Sequence, residues 1–154
     1  LDEIKRAAFL DRGSAPGGRG SADWRRMEIP SANGHATALA LARLMAVVAG
    51  DGSLDGRVVI SPATLSALAA ERVRGPDKVL PFDLIWAAGP MRNSGTNGLG
   101  PGPQALGHYG WGGSMAMADP ERRLSVAYVM TKQSVHLVAD PRPVGLIETL
   151  YRAL

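Results

Sequence analysis

Residues 36–49 read ATALALARLMAVVA, and Arg43 is the only charge in the run. These are strong helix formers, apolar nearly all round, and Gly50 stands where a C-cap glycine belongs. A helix without a polar face must be covered by other elements rather than lie on a surface. The run is too short to cross a bilayer, so that cover has to be protein, and no transmembrane helix is expected elsewhere. With 154 residues, 45% of them hydrophobic, the chain suffices for one domain with a real core, or part of one.

The rest of the chain supplies candidate cover. A short charged helix is expected over residues 2–10, followed by a loop read from Gly13 to Gly20 (GSAPGGRG). After the apolar helix, residues 51–56 make a turn. Ser61-Pro62 then reads as an N-cap followed by proline in the first helical position, opening a helix to about Ala70. Beyond Gly75-Pro76 the pattern changes. Phe82, Leu84 and Trp86 recur at a spacing of two, which suits a strand within residues 79–88. A Gly-, Asn- and Pro-rich loop spans 93–107, of a length that is usually functional or disordered inside a compact domain. Residues 114–118 and 124–130 read as an antiparallel pair with Asp119-Pro120 in the turn and Leu124, Val126, Tyr128 and Met130 on one face. A final helix over 143–154 carries Leu146, Ile147, Leu150, Tyr151 and Leu154 as its apolar stripe. The reading is a mainly helical part over 1–78, then sheet strands and a terminal helix over 79–154.

Charge and ligand types exclude several functions. The net charge is only +3, and Arg25-Arg26 and Arg122-Arg123 are the only arginine doublets, so no basic groove for nucleic acid is read. The excess of arginine over lysine is explained as well by coding bias as by function. Zero cysteines remove disulfides and thiolate chemistry and leave the compartment open, with the cytoplasm favoured over a periplasmic or secreted location. His35, His108 and His136 have no metal-ligand spacing, so neither metal nor cofactor is expected. His35 is placed in the first turn of the apolar helix and His136 in the chain leaving the last strand. Only His108, set between glycines, has site-like surroundings.

Those glycines belong to GHYGWGGSMAMADPERR, residues 107–123. A phosphate loop would end in Gly-Lys-Ser/Thr or complete G-x-G-x-x-G before a helix, and neither is present. Gly112-Gly113-Ser114-Met115-Ala116 approaches the G-x-S-x-G nucleophile elbow, but the elbow opens a helix whereas this segment alternates into a hairpin. Ser114 is therefore read as a small polar residue starting a strand. A small complete enzyme built on Ser114 and His108 stays a testable rival.

Taken in order, Pro30-Ser31-Ala32-Asn33-Gly34, the apolar helix, the Gly-Asp-Gly turn, Leu54-Asp55-Gly56 before a Ser-Pro helix, Gly107-His108-Tyr109-Gly110, Gly-Gly-Ser, Asp119-Pro120-Glu121, Ala127-Tyr128-Val129-Met130 and a terminal amphipathic helix resemble the C-terminal part of the serine β-lactamase-like superfamily. Class C β-lactamase-like esterases and related penicillin-recognising hydrolases are the most similar branch. The resemblance covers the chain from about Ile29 onward. It implies an α+β fold of the β-lactamase/DD-peptidase type, an antiparallel sheet flanked by helices, with part of the helical region present. It also implies three site motifs: S-x-x-K, Y-x-N and a K-T-G-like triplet. His108-Tyr109-Gly110 takes the triplet's place, and the backbone amide of Trp111 the place of an oxyanion donor, so His108, Tyr109, Gly110, Gly112 and Gly113 are implied as the substrate-facing wall.

Two departures shape the functional expectation. Histidine replaces the triplet lysine that meets a substrate carboxylate, which favours esters over β-lactams or peptidoglycan peptides. No serine has lysine three positions on, and none of Tyr109, Tyr128 or Tyr151 has asparagine two positions on. The chain is therefore expected to be a C-terminal fragment, held tightly to an upstream N-terminal chain that carries the nucleophile, and active only with it. The leading expectation is a serine hydrolase, most simply a carboxylesterase of small esters or amides working through an acyl-serine. A β-lactamase or D-Ala-D-Ala carboxypeptidase is the first alternative, and a non-catalytic binding protein of the same fold the second.

Overall fold

The computed structural model describes residues 2–10, 18 and 20–154, so the loop expected over 13–20 lies mostly outside the described residues. The chain divides into two compact units, Leu1–Ala36 with Asp77–Pro81, and Thr37–Pro76 with Phe82–Leu154. The first contains α1 (Glu3–Leu10) and α2 (Ala22–Arg26). There Asn33 explains the Pro30–Gly34 motif: its amide donates to the Trp24 carbonyl (2.8 Å) and to that of Met27, while its Oδ1 accepts from Ile29 N–H (3.1 Å). His35 lies outside the apolar helix in irregular chain, its ring edge-on to Trp24 at 5.6 Å. Thr37 is the reason, because its Oγ1 accepts from Ala40 N–H and sets the helix start two residues later than expected.

The second unit holds α3 (Ala38–Ala49), a small hairpin β1 (Ser53–Leu54) and β2 (Arg57–Val58), α4 (Pro62–Ala69), then β3 (Val73–Pro76), β4 (Asp83–Trp86), β5 (Met91–Arg92), β6 (Leu106–Tyr109), β7 (Met115–Asp119), β8 (Leu124–Tyr128) and α5 (Pro141–Ala153). Strands β3 to β8 form a six-stranded antiparallel sheet in chain order. This is the α+β arrangement expected, with the β1–β2 hairpin and the sheet strands β3, β5 and β6 added to the three strands assigned from periodicity. The turn at 51–56 is part of a hairpin because Asp55 and Gly56 both take positive φ (50° and 75°), the geometry of a two-residue turn that matches strand twist.

Helices cover both faces of the sheet. Leu106 lines an open pocket of about 420 Å³ with Val48 of α3 and Leu65 of α4. On the opposite face, Asp119 of β7 accepts a hydrogen bond from the Tyr151 hydroxyl of α5. Side chains alternate along a strand and paired residues share a face. His108 therefore projects to the α3 side with Leu106 and Ala116, and Tyr109 to the α5 side with Met115 and Met117. The core is built on both sides from Leu84, Met91, Leu99, Leu106, Met115, Met117 and Ile147, all essentially without exposure.

Two expectations about burial are corrected. The apolar helix is only half covered. Val47 and Ala49 are buried, but Leu39 and Leu44 are 71% and 65% exposed, because α3 lies by one side on β7 and β8. The stripe of α5 is turned from the expected one. The helix begins at Pro141 behind an Asp140 N-cap, Pro143 and Ile147 are buried, and Leu146 and Leu154 stand exposed. The long loop is neither loose nor bare. Asn93 Nδ2 donates to the carbonyls of Gly100 and Gly102 (both 2.8 Å), Asn97 Nδ2 donates to that of Arg92 (2.8 Å), and Leu99 and Ala105 fill the core.

Candidate active site

The glycine stretch forms the end of β6, a turn, and the start of β7. Gly110 N–H donates to the Ser114 carbonyl (2.8 Å) and Gly113 N–H to the Gly110 carbonyl (3.1 Å), closing the turn on itself. Strand, not helix, follows Ser114, so the nucleophile-elbow geometry is absent, and the Ser114 side chain sits against Gly110, where a Cβ would meet its Oγ at 2.2 Å.

The six residues proposed for this wall separate into two sets. His108 and Trp111 (49% exposed) are at the surface and Gly110 is half-buried, whereas Tyr109, Gly112 and Gly113 are buried. The His108 ring packs on Trp86 with centroids 5.5 Å apart, and its Nδ1 is 2.7 Å from the Tyr109 carbonyl. A carbonyl only accepts, so Nδ1 carries the hydrogen and Nε2 is the acceptor of the neutral ring. Tyr109 points inward, 5% exposed, and its hydroxyl has no hydrogen-bond partner among the described residues. Burial pushes the phenol's pKa upward, and the nearby Asp140 carboxylate pushes it further, so this tyrosine stays protonated. The β5–β6 ladder ends at the Met91–Gly107 pair, and His108 and Tyr109 are matched in the sheet by Ala116 and Met115 of β7.

Behind the turn lies a cluster that the sequence reading missed. Asp140 is 1% exposed and accepts from the Ser134 hydroxyl, from Arg142 N–H (2.9 Å), and from Arg142 Nε (3.0 Å) and Nη2 (2.8 Å) in a two-pronged ion pair. Arg142 also donates to the carbonyls of Gly112 (3.1 Å) and Lys132 (2.8 Å). His136 Nδ1 stands 3.7 Å from the same carboxylate. Asp140-Pro141 carries the same cap-then-proline signal as Ser61-Pro62, so the helix start was readable. Its bond to a turn thirty residues upstream was not.

The Arg142 guanidinium, with the Ser134 hydroxyl and the Arg142 backbone amide, holds the Asp140 carboxyl well below the usual carboxylate range. A group whose folded-state pKa is depressed contributes stability above its unfolded value, about 3.9, and loses that contribution as pH falls toward the folded value. Asp140→Asn is therefore expected to lower stability at pH 7, and the gap from the parent protein should narrow below pH 4. Urea unfolding at pH 7 and pH 3 checks this. A gap of equal size at both pH values would contradict it.

An antiparallel sheet clad by helices on both faces, with a glycine turn ending its central strand, is the framework that the sequence motifs implied. The Beta-lactamase family profile matches residues 2–148, and the chain belongs to that family. It is 36% identical over 116 residues to the esterase/beta-lactamase LipL of Mycobacterium tuberculosis (strain ATCC 25618 / H37Rv), an overlap of 72% of this chain and 25% of LipL. Among solved structures it is similar to a penicillin-binding protein homolog from Caulobacter crescentus (TM-score 0.93, 54% identity, 100% of this chain and 41% of that one). It is also similar to a family VIII carboxylesterase (TM-score 0.83, 35% identity, 87% of this chain and 36% of that one). The chain spans less than half the length of each of these proteins.

Proposed function

We propose that this chain forms one wall of a serine hydrolase that cleaves esters through an acyl-serine intermediate. The observation that carries the reading is the row His108, Gly110, Trp111, presented at the end of β6 where the ladder with β5 has stopped. An acyl group lying along that edge would meet little side-chain obstruction at Gly110. The Trp111 amide would serve as oxyanion donor, an interaction whose loss costs about 3 kcal/mol of transition-state stabilisation in acyl transfer. The nucleophile belongs to an S-x-x-K serine in an upstream part of the protein. Its Oγ attacks the ester carbonyl as its proton passes to the neighbouring base, the tetrahedral intermediate collapses with loss of the protonated alcohol, and water then releases the acid.

The names of the relatives support ester substrates, and so does His108. Its Nδ1 hydrogen is committed to the Tyr109 carbonyl, so what the side chain leaves for substrate is the imidazole Nε2 rather than a lysine ammonium. LipL's dual description favours a second reading, in which β-lactams are also opened. The full-length protein assayed with short-chain p-nitrophenyl esters is expected to show a burst of one nitrophenol per active site, and Ser114→Ala to keep most of that activity. His108→Lys should raise the ratio of chromogenic-cephalosporin to ester turnover about fivefold, the worth of one partly exposed ion pair. Absence of both burst and turnover would favour a binding protein of the same fold, and loss of the burst in Ser114→Ala would move the nucleophile into this chain.

A further inference from the structure

We propose that Arg142, oriented by Asp140 and Ser134, is a positioning residue that fixes the direction of the Trp111 N–H without touching substrate; this rests on the oxyanion role given to that amide above. Gly112 is held at both backbone groups. Its N–H donates to the His136 carbonyl (3.3 Å), and its carbonyl accepts from Ser134 N–H (2.9 Å) and from Arg142 Nη2 (3.1 Å). On the other side of Trp111, Gly110 is tied to Ser114 and Gly113. The Trp111 N–H shares a rigid peptide plane with the Gly110 carbonyl, which accepts from Gly113 N–H, and that N–H shares its own plane with the Gly112 carbonyl held by Arg142, so two peptide planes and one hydrogen bond join the guanidinium to the Trp111 N–H.

The guanidinium is suited to this task by its rigidity. Nε and Nη2 are committed to the Asp140 carboxylate, Nη1 to the Lys132 carbonyl, and Nη2 also reaches Gly112. A planar fork seated on a buried carboxylate has one orientation, whereas a lysine ammonium at the same place would reach fewer of these oxygens and swivel. The Ser134 hydroxyl, bonded to the same carboxylate, closes the loop back to the residue whose N–H also holds Gly112. Oxyanion donors act through preorganisation, and small displacements of the reacting geometry cost of the order of a hundredfold in rate.

The test uses the full-length protein with Arg142→Ala, Arg142→Lys and the milder Ser134→Ala, which keeps both charges. In Arg142→Ala the single-turnover acylation rate with a p-nitrophenyl ester should fall about a hundredfold while KM changes less than threefold, with Arg142→Lys and Ser134→Ala intermediate. Hydrogen exchange of the peptide covering 107–114 should accelerate at least tenfold in Arg142→Ala, with β7 exchange unchanged. Acylation and exchange both at parental rates would overturn the proposal, as would a rate loss that merely follows the unfolded fraction. If the parent protein fails to acylate at all, the hydrolase reading falls, and the exchange measurement alone decides whether the clamp exists. If Arg142→Ala does not fold, the same comparison is made on Ser134→Ala.

Discussion

Gly113→Ala is expected to destabilise the protein by about 3 kcal/mol, lowering its midpoint of thermal unfolding by roughly 6–12 °C. Two independent causes act at this residue. Its φ is +108°, a conformation that an L side chain reaches only with strain. A Cβ there would lie 2.3 Å from Asp140 Oδ2 and 2.5 Å from Arg142 Nη2, and neither atom can withdraw without breaking the buried ion pair. Gly145→Ala is the matched comparison. That glycine lies inside α5, a Cβ on it meets nothing within 4 Å, and alanine is the better helix former by about 1 kcal/mol, so its midpoint should rise. Thermal unfolding followed by circular dichroism reads both. A cost below about 1 kcal/mol at Gly113 would mean that the turn does not rest on the Asp140–Arg142 pair, and the clamp would lose its footing.

What could be read from the sequence followed local rules. Ser61-Pro62 marked a helix because a cap and a fixed φ act within one turn, and the Met115–Tyr128 hairpin was visible because alternation has period two. β3 was missed because its own residues, Val73 to Pro76, include the Gly-Pro pair that reads as a break. Proline is tolerated there since β3 is an edge strand and Pro76 its last residue, opposite Asp83. β5 is two residues long, too short for any periodicity. The same division holds at the site. The glycines of 107–113 announced a backbone that must turn sharply and approach closely. That Tyr109 is buried while His108 is not depended on which face each helix covers, and the Arg142–Gly112 bond joins segments thirty residues apart without a repeating pattern. The half-bare α3 is the counterpart case: its composition demanded cover on all sides, and nothing among the described residues covers Leu39 and Leu44.

Asp119→Ala is expected to cost about 3–4 kcal/mol, shared between the β7–β8 turn and the seating of α5. The side chain is fully buried at the end of β7, where Oδ1 accepts from the N–H groups of Glu121 (3.0 Å) and Arg122 (3.3 Å) and Oδ2 from the Tyr151 hydroxyl. It thereby closes the β7–β8 turn and seats the last helix on the sheet, which gives the Asp119-Pro120-Glu121 motif a physical reason. Gly102 packs directly on it, so the long loop rests on the same carboxylate. Removing it takes their partner from two backbone donors of the turn and from a phenol, and each such group costs about 1–3 kcal/mol less whatever water replaces. Tyr151→Phe removes only the hydroxyl and should cost about 1–2 kcal/mol. Because the two groups bond each other, the double variant should be less damaging than the sum of the singles by about 1–2 kcal/mol. Urea unfolding of the four proteins measures that coupling. Additivity within about 0.5 kcal/mol would show that the helix is held to the sheet by apolar contacts around Ile147 alone, with Asp119 serving only its own turn.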